Sequence, residues 1–157
     1  DSPWRSPSEL GGKELAVPSF NALGASLLIR ADLLHMFQVK PQVVNVKNHT
    51  SVYMNVAAGV SAAGGGVEKT LREQAQTLQD QLRVLYTTRD MPSHPIAAHP
   101  RVTAQVRDTL QKTILEMGQT PEGKHLLEQV PMADVVSTAM KDYLPMQKWG
   151  LDEFWVK

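Results

Sequence analysis

The sequence contains no cysteine among its 157 residues. This absence excludes structural disulfides, thiolate metal sites and cysteine nucleophiles. Charge of one sign is also missing, because 16 Lys and Arg residues balance 16 Asp and Glu residues and the net charge is zero. That balance gives no indication of nucleic acid or of an anionic membrane as a partner. No apolar run approaches the roughly 18 residues of a membrane span, so we expect no direct membrane span.

The known catalytic and metal-binding motifs are absent as well. None of the five histidines stands in an HExxH arrangement or another metal-ligand spacing. The glycines at 64–66 match neither the phosphate-binding P-loop nor the dinucleotide-binding pattern. No pair of carboxylates stands out for general acid–base catalysis. We therefore expect neither an enzyme nor a bound metal or cofactor.

The two ends of the sequence differ in character. The first residues contain no apolar stretch of the kind found in signal peptides. Residues 6–13 have the composition of a linker and run directly into an apolar segment. We therefore expect the sequence to be part of a longer chain, from which any export signal has been removed. The aromatic residues of 149–155 are expected to form a docking tail, because few basic residues accompany them.

Short apolar runs alternate with helical periodicity along the first part of the chain. The predicted strands are 13–17, 42–47, 61–66 and 82–88, and a brief extended piece covers 96–98. Helices are predicted at 21–37, at 52 to about 59, at 102–117, at 120–130 and within 133–143, with an exposed helix or loop at 71–81. This alternation predicts an α/β domain with a largely parallel sheet.

The connection between the first predicted strand and the first helix, at residues 18–22, carries polar side chains. Ser19 and Asn21 lie there beside backbone N–H groups that a helix leaves unpaired. A helix N-terminus carries about half a positive charge and attracts anions. The alternative is that Ser19 or Asn21 simply caps the helix, which is the common use of such residues.

A second strand-to-helix connection, at residues 48–51, has the same character. His49 offers a donor to a phosphoryl oxygen, while Thr50 and Ser51 supply hydroxyls and amides. The alternative is again a helix cap, with His49 as a surface residue. Because parallel strands open on the same edge of a sheet, both connections would face one ligand.

Two further segments have both a functional and a structural interpretation. The glycines at 64–66 would let the backbone approach a ligand closely, or they form a small strand packed under a helix. Arg89 and Asp90 would serve a zwitterionic ligand, or they belong to an exposed turn. His35 lies near the apolar face of the first helix and is expected to have a packing role.

An ordered series of segments resembles one family. Residues 18–31 (PSFNALGASLLIRA), 48–53 (NHTSVY) and 62–67 (AAGGGV) resemble the phosphate-, phosphite- and phosphonate-binding proteins of ABC importers. Residues 82–100 continue the pattern, and residues 121–127 match the C-terminal helical region of that family.

The resemblance implies a type II periplasmic-binding-protein-like fold, in which two α/β lobes close on a ligand at a hinge. Residues 1–95 would form the second, ligand-binding lobe with an N-terminal linker. Residues 96–157 would form a hinge-crossing strand and C-terminal helices. The resemblance thus implies one complete lobe plus C-terminal helices, with the first lobe largely missing.

The resemblance also implies a binding site at the two strand-to-helix connections. The helix N-terminus at residues 18–22 would hold the oxyanion, and the second connection would add a further contact. The predicted ligand-binding residues are Ser19, Phe20, Asn21, Ala22, His49, Thr50, Ser51 and Gly65. The family often has Ser or Thr where this chain has Phe20 and Asn21, which leaves the choice of phosphorus compound open.

The implied partners are a small phosphorus-oxyanion ligand and the membrane subunits of an ABC permease, with a periplasmic location. The alternative is a sensory module, in which the same domain is the extracytoplasmic input of a receptor such as a histidine kinase. A hydrophobic span after Lys157 in the gene would favour the sensor. A preceding lipoprotein or signal sequence would favour transport.

Overall fold

The computed structural model describes residues 2–130, 132 and 134–157. The chain packs as two compact units. The first comprises the chain up to Met91 together with Pro145–Lys157, and the second comprises Pro92–Leu144.

A small parallel sheet forms the centre of the first unit. Its strands are β1 (Glu14–Val17), β2 (Gln42–Asn45) and β3 (Ala63–Gly64), in the order β2-β1-β3. All pairings are parallel, which confirms the predicted mixed α/β architecture. The central strand is the most apolar and the most buried, as expected for a strand with neighbours on both sides.

Helices connect and follow these strands. A π-helical turn, Leu23–Leu28, continues directly into α1 (Ile29–His35), and we call the two together the first helix. The N–H groups of Ser26 and Leu27 both donate to the carbonyl oxygen of Ala22, at 2.9 and 3.0 Å, which gives this turn its wider winding. The other helices of the first unit are α2 (His49–Ala57), α3 (Glu68–Arg72) and α4 (Gln76–Gln79). Short 3-10 turns lie at Pro7–Leu10, Leu144–Trp149 and Leu151–Phe154, and Leu144 itself is the last residue of the second unit.

The second unit is helical, as predicted. It contains α5 (Ala104–Met117), α6 (Pro121–Glu128) and α7 (Met140–Tyr143). Thr103 and Thr120 cap α5 and α6 through their hydroxyls, and Pro121 occupies the first position of α6. Part of the helix predicted within 133–143 falls on residue 133, which lies outside the described residues.

The prediction of a strand at residues 82–88 is wrong, because this segment has an irregular backbone. Side chains hold it in place instead of a sheet ladder. Leu85 packs against the core beside β1, and the Arg83 guanidinium donates to the carbonyl oxygen of Trp4. Val84 is 62% exposed, although its β-branched side chain favours a buried strand. Residues 96–98 are also irregular and exposed.

Candidate functional site

The three strands place their following connections at one edge of the sheet. Val17 at the end of β1 pairs with Asn45 at the end of β2, and Ala16 pairs with Gly64 of β3. Because the strands are parallel, the chain leaves all of them at the carboxyl edge. This is the edge at which open α/β sheets bind ligands.

The first connection ends in a helix N-terminus without a side-chain cap. Ala22 occupies the N-cap position, and its methyl group accepts no hydrogen bond. Ser19 instead forms the preceding turn, since its hydroxyl accepts from the N–H of Asn21 at 3.3 Å and its carbonyl accepts from the N–H of Ala22 at 3.2 Å. Neither Ser19 nor Asn21 caps the helix, so the capping alternative does not hold here. The first N–H groups of the helix thus lack a side-chain cap, which is the condition under which a helix N-terminus can hold an anion.

The neighbours of Ser19 in this connection have structural contacts. The Phe20 ring packs against the core, and its carbonyl oxygen accepts from the hydroxyl of Ser26 at 2.8 Å and from Arg30 at 3.3 Å. The Asn21 amide is paired with the backbone of Val156, in two hydrogen bonds of 2.7 and 2.9 Å. Ser19 itself is exposed.

The second connection is capped by a residue that the sequence analysis did not single out as the cap. Asn48 accepts a hydrogen bond from the N–H of Ser51 at 2.8 Å, so that amide is occupied. The carbonyl oxygen of Ser51 accepts from the side chain of Asn55 at 2.7 Å. Thr50 is exposed, and His49 begins α2. The Asn48 side chain and the amide of Ser51 are therefore occupied, while the side chains of His49, Thr50 and Ser51 remain for a ligand.

His49 is partly buried and has an unsatisfied ring nitrogen. Its Nδ1 is buried and has no hydrogen-bond partner among the described residues. Burial lowers the pKa of His49 below its usual value, because desolvation disfavours the charged ring. The ring stacks on Tyr53, one turn along α2, at 6.4 Å between centroids. A buried polar atom without a partner is rare in native proteins, and a ligand is one explanation for it.

Gly65 has a packing role in this structure. Its N–H donates to the carbonyl oxygen of Ala16 at 2.8 Å, which extends the contact of β3 with β1. A β-carbon at Gly65 would lie 1.9 Å from the carbonyl oxygen of Ala25 in the first helix. A β-carbon at Gly66 would lie 2.7 Å from the ring of Tyr53. The small residues at this edge let the backbone approach the two helices, and a ligand contact at Gly65 stays a prediction.

The sequence analysis missed a buried carboxylate, Asp32, on the first helix. Asp32 is 1% exposed and accepts hydrogen bonds from the Tyr86 hydroxyl, at 2.9 Å, and from the Arg89 guanidinium. Desolvation and the hydrogen bond to Asp32 raise the pKa of Tyr86. Arg89 also lies 5.3 Å above the ring of Trp149. Arg89 is thus held by protein groups, and its free availability to a zwitterionic ligand is not supported. The sequence signal for the pair of Asp32 and Arg89 is that an aspartate stands among the apolar residues of the first helix.

The expected packing role of His35 is not seen. The side chain is 52% exposed, and its Nε2 lies 3.7 Å from the Glu153 carboxylate. Among the described residues, no group of three or more histidine or carboxylate side chains is placed to hold a metal ion. Across that same part of the chain, no helix has both the length and the apolar character needed to cross a membrane.

Helix N-termini at the carboxyl edge of a parallel sheet are typical of proteins that hold small anions. One family model, described as ABC transporter, phosphonate, periplasmic substrate-binding protein, matches residues 1–143. The chain therefore belongs to this family, and the resemblance found in the sequence is confirmed. No curated protein matches the chain at a significant level.

Membership of the family carries several coarse functional conclusions. The chain has the solute-binding role of an ABC transporter and belongs to a family of binding proteins, not of enzymes. The family implies a small-molecule ligand, permease partners and an extracytoplasmic location.

Proposed function

We propose that this protein captures a phosphonate, phosphite or phosphate-type oxyanion outside the cytoplasm and delivers it to the membrane subunits of an ABC importer. The observation that carries this proposal is the family match over residues 1–143. The chemistry of the carboxyl edge supports it, since the open groups there are hydrogen-bond donors and a helix N-terminus.

The proposed oxyanion contacts come from both connections. The backbone N–H groups that follow Ala22, the hydroxyl of Ser19 and the side-chain amide of Asn21 would donate to one side of the phosphoryl group. His49 and Thr50 would donate to another. These roles are supported by the lack of a side-chain cap at Ala22 and by the ring nitrogen of His49, which has no partner in the described part of the chain. Phe20, Ser51 and Gly65 would shape the site through their backbones.

We also propose different roles for two parts of the chain. Residues 1–95 would act as a ligand-binding lobe of a type II periplasmic-binding-protein fold, since both candidate connections lie within them. Residues 96–157 would supply a hinge-crossing segment and C-terminal helices.

Titration calorimetry of the protein tests the ligand class. Phosphate, phosphite and methylphosphonate are titrated separately, with sulfate, glucose and glycine as controls. We expect heat of binding from at least one phosphorus compound and a weaker response or none from the controls. Binding of the sugar or the amino acid, with silence against all three phosphorus compounds, would contradict the proposal.

The role of His49 is tested by His49→Ala in the same titration. A hydrogen bond to a charged oxygen contributes about 1.5–3 kcal/mol, which corresponds to a loss of affinity of about tenfold to a hundredfold. His94→Ala is the matched control, because His94 is an exposed histidine of the other unit. Equal affinity of both variants and the parent would exclude His49 as a ligand contact.

A further inference from the structure

The C-terminal residues 151–157 lie along the first helix and reach its N-terminus. Glu153 lies 3.7 Å from His35 at the C-terminal end of α1. The carbonyl oxygen of Phe154 accepts from the Arg30 guanidinium at 3.1 Å, in the middle of the helix. Val156 then meets Asn21, just before the helix begins. The segment therefore runs from the end of the first helix back to its start.

The anchor of this segment is the Phe154 side chain. Phe154 is buried, packs against Leu27 and Ala31, and has the Arg30 guanidinium 4.9 Å from its ring centre. Burial of a phenylalanine side chain stabilises by about 1.5–3 kcal/mol. Residues up to Phe154 are thus firmly attached to the helix.

The contact beyond Phe154 is of a different kind. Val156 donates its N–H to the Asn21 side-chain oxygen at 2.9 Å and accepts from the Asn21 side-chain nitrogen at 2.7 Å. The side chains of Trp155 and Val156 are 57% and 45% exposed, so little apolar surface holds these two residues in place. Both hydrogen bonds join neutral groups, and the neighbouring side chains are partly exposed. Other hydrogen-bond partners can therefore replace them at small free-energy cost.

We propose that residues 155–157 form a displaceable strap over the N-terminus of the first helix. While Val156 is paired with Asn21, the amide of Asn21 is occupied and the backbone of the strap lies beside the N-terminus. An oxyanion that uses Asn21 has to release the strap, whereas the Phe154 anchor stays in place. This inference rests on the proposed function, since the ligand at this N-terminus is the one proposed above.

The strap and the oxyanion compete for one residue. A protein whose competent state is only partly populated binds with an affinity reduced by that fraction. Weakening the strap should therefore tighten oxyanion binding, and oxyanion binding should loosen the strap, because such coupling is reciprocal.

Val156→Pro tests the competition, with Val156→Ala as its matched control. Proline has no N–H and so removes the bond to the Asn21 oxygen, while alanine keeps it. The backbone of Trp155 has ψ 126°, which a following proline tolerates. We expect Val156→Pro to bind the phosphorus oxyanion about two- to tenfold more tightly than the parent, from the loss of one net hydrogen bond, and Val156→Ala to bind as the parent does.

Hydrogen exchange of residues 154–157 supplies a second measurement on the parent protein. Added phosphate, phosphite or methylphosphonate should speed exchange at the strap of the parent, whichever of them binds by calorimetry.

The failures of the two proposals are distinguishable. If the parent binds one of the three compounds but Val156→Pro binds it no more tightly than the parent does, the strap proposal is overturned and the proposed function stands. Binding without any change in strap exchange overturns it in the same way. If neither the parent nor Val156→Pro binds any of the three compounds, the proposed function is wrong, and the strap proposal, which rests on it, is wrong too.

Discussion

Substitution of Gly65 by alanine gives a strong test of how the sheet edge is built. In the structure the carboxyl end of β3 passes so close to the first helix that a β-carbon at Gly65 would lie 1.9 Å from the carbonyl oxygen of Ala25. The obstacle is backbone, so no side-chain rotation relieves it. The helix and the strand would have to move apart, which weakens the hydrogen bond from Gly65 to Ala16.

The size of the effect follows from the kind of clash. Overpacking of a well-packed interior typically lowers stability by about 1–3 kcal/mol. Because this contact is with a backbone oxygen, we expect Gly65→Ala at the upper end, about 3 kcal/mol. For a chain of this size each kcal/mol lowers the melting temperature by about 2–4 °C, so the expected fall is about 6–12 °C.

Thermal unfolding followed by circular dichroism measures this, and Gly11→Ala is the control. A β-carbon at Gly11 would lie 3.6 Å from Val39, an ordinary contact, and the backbone there has φ −56°. That substitution should be neutral or stabilising by about 0.4–1 kcal/mol, because alanine restricts the unfolded chain. A melting temperature of Gly65→Ala within about 2 °C of the parent would refute the packing argument. If Gly65→Ala lost oxyanion affinity with unchanged stability, Gly65 would instead be identified as a ligand contact.

Three further predictions concern the ionisable groups of Asp32 and His49. Asp32→Asn should lower the free energy of unfolding by about 1–3 kcal/mol in urea titrations, because it removes the buried partner of Arg89, itself 43% exposed; unchanged stability would show that this pair contributes nothing. Oxyanion affinity should rise as pH falls below about 6.5, since an anion favours the protonated His49 ring, and the rise should extend lower than for an ordinary histidine because burial lowers its pKa. Stability without ligand should change in the opposite direction: the unfolded ring takes up its proton at a higher pH than the folded ring, so the protein loses stability as pH falls through this range. Calorimetry from pH 5 to 8 checks the affinity, and a profile identical to that of His49→Ala would contradict the role of His49.

The sheet was predictable because its signal is local. The valine-rich and alanine-rich runs at β1 and β2 are short, apolar and bounded by turn residues, and intervening helical periodicity leaves a parallel sheet as the simplest arrangement. The parallel order in turn placed residues 18–22 and 48–51 on one edge. The observed register at Val17 and Asn45 agrees with that expectation.

The segment at 82–88 shows where local signals fail. Its sequence has the composition of a strand, but a strand needs a neighbouring edge with free backbone groups. The backbone carbonyl of Trp4 and the core beside β1 offered partners to the side chains of Arg83 and Leu85 instead. Such long-range partners leave no periodic trace in the sequence, so tertiary contacts overrode the propensity.

The candidate site was predictable in its location but not in the use of each side chain. The sequence pattern selects which residues follow each strand. It does not reveal that Asn48 caps α2, or that Asn21 is taken by Val156 from 135 residues away. Contacts of that separation depend on the path of the C-terminal segment, which is set by the burial of Phe154.

The two helix N-termini at the carboxyl edge therefore differ in what they leave for an anion. At α2 the Asn48 side chain already satisfies one of the first N–H groups, and the ligand is left with the side chains that follow it, above all the ring of His49 and the exposed Thr50. At the first helix the N-cap is Ala22, where Ser, Thr, Asp or Asn would be more stable by about 0.5–2 kcal/mol. An oxyanion bound at this N-terminus would accept the same hydrogen bonds that a capping oxygen accepts, and its charge would gain from the helix dipole as well. The first helix, which lacks a cap of its own, therefore offers the ligand the larger gain in binding free energy. His49 at the second connection adds specificity for a phosphoryl oxygen.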